Sequence, residues 1–380
     1  MHTGISIYCG LTRSAAQNLK LIEKAARLGV TRLFTSLHIP ETNVNALNQE
    51  LMQVLQIAQS LQLDVCADVS PAAQKLLGLQ AFTPTALKIL GITTIRCDFG
   101  FTNEQIAAFS KKMRVQLNAS TLTPNAVQEL QNAGADFSNM DALHNFYPRE
   151  HTGLDANYFK LQTEFLHGCG FSVGAFIASQ FGRRAPLFAG LPTLEKHRQL
   201  TVAKAAAELA VLGVDSIFIG DDAPSDAELQ ALAAVSTQGP VQFSGPPTSK
   251  MYLHDAGTLP PIILPIKLLT SDTSLLKFLK NKFSARLDPA QDAIRTMESR
   301  ELLHDLVIEP DATAKLPKTQ GAITLDNKKY LRYMGELQIL TCSQKPDPRT
   351  NLIAQVLPTS LPLLTQITPG RSFYFKFVIG

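Results

Sequence analysis

Short runs of apolar and β-branched residues alternate along the chain with longer stretches whose apolar residues recur at helical spacing. Eight short runs before residue 221 are predicted as strands: GISIY (4–8), TRLFT (31–35), LDVCAD (63–68), TTIRCD (93–98), RVQLN (114–118), ADFSN (135–139), SVGAFIA (172–178) and DSIFIG (215–220). The clearest helical periodicity lies in residues 15–29, 47–63 and 196–213. This alternation favours parallel strands joined by crossover helices.

Three of the predicted helices carry a start signal. Ser14 with Gln17, Thr102 with Gln105 and Ser225 with Glu228 each have the spacing of a capping box, and they follow the first, fourth and eighth predicted strands. Eight strand–helix units in roughly 235 residues predict a (β/α)₈ TIM barrel. A doubly wound open sheet is the alternative, but the single glycine in YCGLTRS does not make a Gly-rich phosphate loop.

The pattern changes near residue 240. The stretch QGPVQFSGPPTSKMY (238–252) is rich in Pro, Gly and Ser and is predicted as a linker. Beyond it, short predicted strands are separated by turns: AITLD (322–326), ELQILTC (336–342), NLIAQVL (351–357) and SFYFKFVIG (372–380), with one amphipathic helix near 289–303. We therefore predict a barrel domain over residues 1–240 and a small β-rich domain over residues 250–380.

Composition narrows the class of protein. Hydrophobic residues make up 45% of the chain and the net charge is only +3, too small an excess to indicate a nucleic-acid partner. The N-terminus has no signal-peptide pattern, and no run of about 18 apolar residues indicates a membrane span. Five scattered cysteines without a CxxC pair indicate reduced thiols. These features predict a cytoplasmic protein.

The active site of such a barrel lies at the C-terminal ends of its strands. Asp68 and Asp98 end neighbouring predicted strands, and Glu41 follows another. Since neighbouring strands lie about 4.8 Å apart, the two aspartates can approach the roughly 5 Å carboxylate spacing of retaining glycosidases. Arg96, two residues before Asp98, would hold that carboxylate ionised. The alternative is structural: Asp68 caps a turn, and Asp98 pairs with Arg96.

Other polar residues at these strand ends are candidate substrate contacts. The loop HNFYPREHTGLD (144–155) follows the sixth predicted strand without helical or strand periodicity, and two arginines follow the seventh. Amides and imidazoles suit sugar hydroxyls, and arginine suits phosphate. The candidates are His38, Arg96, Asn118, His144, Asn145, Tyr147, Arg149, His151, Arg183 and Arg184. In the alternative interpretation, the loop aromatics seal the barrel, the arginine pair is solvated, and Asp221 with Asp222 caps the next helix.

A metal-dependent sugar-phosphate isomerase is a further alternative, because His38, Glu41, Asp68, Asp98 and His144 include divalent-metal ligand types. Their spacing is not specific for a metal, so we predict no metal and no cofactor. A non-catalytic saccharide-binding protein is a third class. The sequence leaves the oligomeric state open, a homo-oligomer included.

The chain also resembles the bacterial 6-phospho-N-acetylmuramidases, glycoside hydrolase family 170. The resemblance runs in order through GISIY (4–8), LFTSLHIPE (33–41), DVSP (68–71), IRCDFGF (95–101), LNAST (117–121), HNFYPREHTGL (144–154), GLPTLEKHR (190–198), ARLDPAQDAIRTMESR (285–300), GAITLDN (321–327) and YLRYMGELQIL (330–340). It implies a TIM barrel followed by a cyclophilin-like β domain. It also implies a cytoplasmic exo-acting hydrolase of N-acetylmuramic acid 6-phosphate β-1,4-linked to N-acetylglucosamine, acting in cell-wall recycling.

That substrate carries a phosphate and a lactyl carboxylate, two anions for Arg149, His151, Arg183 and Arg184 to meet. Asp98 and Asp68 would supply the acid and the base or nucleophile, with Glu41 as a substitute for either. The 2-acetamido group is an alternative internal nucleophile. Two positions depart from the family pattern: a more Gly-rich stretch is expected around the paired arginines, and Cys97 stands where leucine is expected.

Overall fold

In the computed structural model, which describes residues 1–37, 39, 41–71, 73–236 and 259–378, eight parallel strands close into a barrel. The strands are β1 His2–Ser6, β2 Arg32–Ser36, β3 Asp64–Val69, β4 Thr94–Cys97, β5 Arg114–Asn118, β6 Met140–Leu143, β7 Ser172–Ile177 and β8 Ser216–Ile219. Because β1 pairs with both β2 and β8, the ring is complete. The predicted TIM barrel is confirmed and the open sheet is wrong.

Helices follow the barrel strands: α1 Ala15–Arg27, α2 Val44–Ser60, α3 Ala73–Leu76, α4 Pro84–Ile89, α5 Asn103–Ser110, α6 Pro124–Asn132, α7 Ala156–Gly168, α8 Val202–Val211 and α9 Asp226–Ser236. The predicted capping boxes of Ser14, Thr102 and Ser225 are all formed. Within the described ranges, no helix is both long and apolar enough to cross a bilayer.

The sixth strand was predicted too early, at residues 135–139. The Asp136 carboxylate accepts the Ser138 N–H at 3.1 Å, and Phe137–Asn139 form a 3₁₀ turn instead. The strand begins at Met140, and all four of its residues are buried. A short-range side-chain acceptor competes here with the sheet for backbone N–H groups.

The two ends of the barrel differ in chemistry. At the N-terminal end, Arg32 forms ion pairs with Asp64 at 2.8 Å and Asp141 at 2.9 Å, and Arg114 lies 3.8 Å from Asp64, so two arginines face two aspartates. Toward the C-terminal end, the interior is a buried cluster that includes Tyr8, Phe34, Cys66, Leu143, Phe176 and Phe218. The paired charges stabilise the N-terminal end. The polar side chains at the C-terminal end are therefore the candidates for catalysis and substrate binding.

The chain divides into two units by its contacts: Met1–Pro148 with Phe159–Ser249, and Arg149–Tyr158 with Lys250–Gly380. The segment Arg149–Tyr158 belongs with the second unit because Leu154 bridges Ala290 and the Gln291 N–H donates to the Gly153 carbonyl at 2.9 Å. The predicted linker, residues 238–252, lies wholly within residues 237–258, outside the described part of the chain.

The second unit contains a seven-stranded mixed sheet in the order β10-β15-β9-β14-β12-β13-β11. Its strands are β9 Ile262–Leu268, β10 Phe283–Ser284, β11 Ala293–Arg295, β12 Ala322–Asp326, β13 Leu337–Leu340, β14 Thr350–Val356 and β15 Ser372–Phe377, with short helices α10 Thr273–Phe278 and α11 Ser299–Leu302. Only the β9–β15 pair is parallel among the described strands of this sheet. The β-rich prediction is confirmed, and the cyclophilin-like fold stays a prediction.

The amphipathic helix predicted near residues 289–303 is wrong. Residues 293–295 form β11, where Ile294 pairs with Ile339 of β13, and α11 is a single turn. Ala293 and Arg295 are buried while Ile294 is half-buried, the alternation of a strand.

Candidate active site

Asp68 lies near the C-terminal end of β3 and faces the barrel interior. It shares its strand face with Cys66, which belongs to the interior cluster. Its Cα partners are Ser36 of β2 and Arg96 of β4, and the Ser36 hydroxyl donates to Asp68 Oδ2 at 3.0 Å. A half-buried carboxylate is thus held at the mouth of the barrel in one orientation.

Asp98 follows the last residue of β4 and is exposed. Asn118, the last residue of β5, donates from Nδ2 to Asp98 Oδ1 at 2.8 Å. The Asn118 Oδ1 accepts the Ser120 N–H at 3.0 Å, which fixes the amide orientation. The structure therefore brings Asp98 and Asn118 together, as two of the predicted site residues.

Arg96 is 2% exposed and does not pair with Asp98 in the described structure. Its guanidinium donates to the Leu143 carbonyl at 2.8 Å and to Asn145 Oδ1 at 2.5 Å. The structural alternative, in which Arg96 and Asp98 form an ion pair, is therefore wrong. The contact through which Arg96 was predicted to hold the Asp98 carboxylate ionised is likewise not formed between these described residues. Arg96 instead orients the Asn145 amide with its oxygen toward the guanidinium.

His144 has no exposed surface. Its Nδ1 lies 3.2 Å from the Ser120 hydroxyl, its Nε2 lies 3.3 Å from the Thr163 hydroxyl, and its ring packs on Phe159. Burial first, and Arg96 second, lower the pKa of His144 to about 3, so the ring is neutral at neutral pH. The Asn145 N–H donates to Ser120 at 2.9 Å, so His144 supports Asn145 from behind.

The aromatic residues of the same loop extend the interior cluster. Tyr147 is 4% exposed, and its N–H donates to the Pro192 carbonyl at 2.9 Å. Phe146 packs edge-on against Phe34 and Phe176, with ring centroids 6.1 and 5.0 Å apart. These rings close the top of the barrel core.

The two predicted arginines after β7 differ in their surroundings. Arg183 donates five hydrogen bonds, all to acceptors of its own loop or of the turn that follows it: the carbonyls of Ser179, Ala189 and Arg198 and the side chains of Gln180 and Gln199. Arg183 therefore holds the loop in shape.

Arg184 is 2% exposed, and its guanidinium stands over the rings of Tyr8 at 4.5 Å and Phe146 at 5.2 Å. Its Nε donates to the Ala185 carbonyl, but its Nη2 has neither exposed surface nor an acceptor. No carboxylate among the described residues pairs with it. The mouth thus contains a buried cation stacked on two rings, with an unused donor.

Asp221, two residues after the end of β8, organises this loop. Its carboxylate accepts the N–H groups of Ser179, Arg184 and Leu191 at 2.8 to 3.2 Å, and it has no exposed surface. Burial raises the pKa of Asp221 to about 6. The predicted role of this aspartate as a cap of α9 is wrong, because Ser225 and Glu228 form that cap.

Sequence reasoning missed two further features of the mouth. The Tyr8 hydroxyl donates to the Gly220 carbonyl at 2.7 Å, which joins the ends of β1 and β8. The Thr12 hydroxyl donates to Asp222 at 2.6 Å. Both contacts join residues more than 200 positions apart, and no local pattern indicates them.

Arg149 and His151 belong to the second unit. Arg149, which is 2% exposed, donates two hydrogen bonds to the buried Asp326 at 2.7 and 2.8 Å, and its guanidinium stands over the Tyr330 ring. His151 Nδ1 lies 2.7 Å from the Asp292 carboxylate. These contacts hold both side chains within the second unit, and the predicted binding roles of Arg149 and His151 stay predictions.

Glu41 is exposed in the turn before α2. His38 lies outside the described residues, so its predicted role has no structural description. The site that the described residues build therefore consists of the two aspartates, their partners Ser36 and Asn118, and the loop after β7.

Comparisons with known proteins identify the family of this chain. A family described as 6-phospho-N-acetylmuramidase, N-terminal, matches residues 3–234, and one described as 6-phospho-N-acetylmuramidase, C-terminal, matches residues 262–376. A comparison with curated proteins gives no match.

Two solved structures are similar over nearly the whole chain. One is a conserved protein of unknown function from Enterococcus faecalis, with 31% sequence identity, a TM-score of 0.56, and coverage of 99% of this chain and 96% of that one. The other is an uncharacterised B. cereus protein, with 24% identity, a TM-score of 0.53 and 99% coverage of both chains. Since both halves match its named family, the chain belongs to the 6-phospho-N-acetylmuramidases, a family of glycosidases.

Proposed function

We propose that this protein hydrolyses the β-1,4 bond between N-acetylmuramic acid 6-phosphate and N-acetylglucosamine in the cytoplasm, during recycling of the cell wall. The bond from the muramic anomeric carbon to the leaving oxygen breaks, water supplies the new oxygen on that carbon, and the leaving oxygen takes a proton. Two groups must therefore act, one to give a proton and one to activate water or attack the anomeric carbon.

The observation that carries the proposal is Arg184. A buried charge without an ion-pair contact is costly even where a carboxylate such as Asp221 acts on it from a distance, and an anionic ligand group would compensate it further. The Nη2 donor lacks an acceptor beside the rings of Tyr8 and Phe146, and a shift of the side chain would bring it to a ligand at the mouth. Arginine suits phosphate because its donors match the oxygens in a bidentate geometry. We assign the 6-phosphate to Arg184, and assign to Arg183 the task of holding the loop.

Asp68 and Asp98 are the proposed reacting pair, and Glu41 is the substitute for either. Asp68 lies near the end of β3, and Asp98 follows the neighbouring strand β4. A polar neighbour orients each carboxylate: Ser36 for Asp68 and Asn118 for Asp98. Asp98 is the more exposed of the two, so it has the better access to a leaving-group oxygen. Asn145, oriented by Arg96, is proposed to bind the sugar.

The test is a mass-spectrometric assay of the purified protein in chelator, on the disaccharide with and without its 6-phosphate. We expect release of N-acetylglucosamine from the phosphorylated form. Asp68→Asn and Asp98→Asn should each lower kcat by at least about 10²-fold with melting temperatures close to the wild type. Arg184→Met should remove the preference for phosphate, and Arg184→Lys should retain part of it.

Three results would contradict the proposal. Cleavage of neither disaccharide excludes this substrate. Activity that chelator removes and a divalent ion restores indicates metal-dependent phosphosugar chemistry. Ligand binding without turnover, unchanged in Asp68→Asn and Asp98→Asn, indicates a saccharide-binding protein.

A further inference from the structure

The loop after β7, residues 179–191, holds two phenylalanine side chains in water. Phe181 is 77% exposed and Phe188 is 58% exposed. The loop is not loosely held, because Asp221 accepts three of its N–H groups and Arg183 donates to its carbonyls. Gly182 packs so closely on Ala223 that a Cβ there would lie 2.2 Å from the Ala223 carbonyl oxygen. A well-anchored loop thus keeps large apolar rings exposed.

Phe188 also has an unfavourable backbone. Its φ is +53°, the left-handed region that bulky side chains avoid and that glycine adopts without strain. A bulky residue in this conformation indicates a role for the side chain that the fold alone does not require. Packing in the described barrel core does not supply that role, since Phe188 is 58% exposed.

The position of Phe188 links it to the buried cation of the mouth. Its N–H donates to the Arg184 carbonyl at 3.2 Å, so the same short turn presents the guanidinium inward and the ring outward. Phe188 therefore lies on the same turn as the residue to which the 6-phosphate is assigned. Phe181, by contrast, is bonded through its N–H to the Ser179 hydroxyl at the start of the loop.

We propose that Phe188 is the platform on which the leaving sugar stacks, and that it sets the specificity for the leaving group. The inference rests on the proposed function and names one more residue of the same site. One face of a pyranose ring consists of C–H groups, which pack on an aromatic ring while the hydroxyls stay in water. The exposed ring would then be covered only when a disaccharide is bound.

The experiment compares two substrates that share the phosphorylated sugar: the disaccharide, and the methyl β-glycoside of N-acetylmuramic acid 6-phosphate, which has no leaving sugar. Phe188→Gly should raise KM about ten-fold for the disaccharide and leave the kinetics of the methyl glycoside unchanged. Phe188→Tyr should keep the wild-type KM on both substrates.

A matched control is Val211→Ala, which removes another exposed apolar side chain, 66% exposed at the end of α8. The melting temperature of Phe188→Gly should fall no further than that of Val211→Ala, because glycine removes the backbone strain. A structural role for the ring would instead lower the melting temperature and affect both substrates equally, which would overturn the inference.

The outcomes separate this inference from the proposed function. A wild type that cleaves the disaccharide, with an unchanged KM in Phe188→Gly, overturns the inference alone. A wild type that cleaves neither substrate overturns the proposed reaction and the inference with it.

Discussion

Burial strongly lowers the pKa of His144 at the barrel mouth, and this makes the stability of the fold depend on pH. Its pKa is about 3 in the folded protein, against about 6.5 in an unfolded chain. The folded state therefore binds a proton less readily than the unfolded state. The stability that this difference contributes is present above pH 6.5 and is lost as the pH falls toward 3.

We therefore expect the wild type to lose about 2 kcal/mol more unfolding free energy than His144→Gln when the pH is lowered from 7 to 5. Urea unfolding curves at the two pH values measure this difference. His304→Gln, at an exposed histidine, is the control and should lose as much as the wild type. Equal losses in His144→Gln and the wild type would show that His144 titrates in the folded protein.

The positions of single residues were only partly predictable, and their roles stay predictions. The strand-end positions of Asp68, Asp98 and Asn118 were predicted because polar residues that end apolar runs are visible in sequence, and the structure places Asp98 and Asn118 in contact. The difference between His144 and its neighbour Asn145 was not visible. His144 is buried behind the strand, whereas Asn145 contacts Arg96. Distinguishing the two requires the correct start of β6, which was predicted five residues too early.

At the scale of elements, the loop after β7 is anchored by two carboxylates: Glu228 holds its start through Ser179 and Gln180, and Asp221 accepts N–H groups along its length. Asp221 is buried and accepts three backbone N–H groups, while the adjacent Asp222 accepts only the Thr12 hydroxyl among the described hydrogen bonds. Asp221→Asn replaces an oxygen with an NH₂ group that cannot accept. We expect it to cost about 2–4 kcal/mol of unfolding free energy, since hydrogen bonds to a buried charge are lost.

Asp222→Asn is the matched control at the next position, with an expected cost of about 1 kcal/mol. Urea unfolding measures both variants, and the rate of proteolysis within residues 179–191 reports the loop itself. Asp221→Asn should speed that cleavage, and Asp222→Asn should not. Equal effects of the two variants would contradict the anchoring role of Asp221.

The elements themselves were largely predictable, because seven of the eight barrel strands and three capping boxes follow local rules of periodicity and end chemistry. The loop contacts were not. Asp221 reaches Ser179, Arg184 and Leu191, which lie 30 to 42 residues away in sequence. The local sequence pattern favours an acidic pair that caps the following helix. Only the tertiary fold shows that Asp221 instead accepts N–H groups of the loop after β7.

At the scale of the whole molecule, Arg149 and Asp326 are paired across 177 residues of chain. Asp326 has no exposed surface; burial raises its pKa to about 6, although Arg149 opposes that shift. We expect Arg149→Ala to cost about 3–5 kcal/mol, because it leaves a buried carboxylate without its partner. Calorimetry of the purified chain would detect this as a lower unfolding temperature of the second unit.

The double variant Arg149→Met with Asp326→Leu removes both charges and should recover much of that loss. The same variants test the substrate-binding role predicted for Arg149 from sequence. A drop in activity in Arg149→Ala, with no change in stability, would favour that role and contradict the structural one.

The placement of Arg149–Tyr158 has a consequence for how such a gene can be rearranged. These ten residues are encoded between two stretches of barrel sequence, yet they complete the sheet-containing unit through Leu154, Arg149 and their partners. A fragment that begins after residue 250 therefore lacks the guanidinium that neutralises Asp326, and a barrel excised before residue 250 retains a segment with no partner. A single crossover between two related genes therefore cannot exchange either unit intact. A recombinant keeps both units complete only if both come from the same parent.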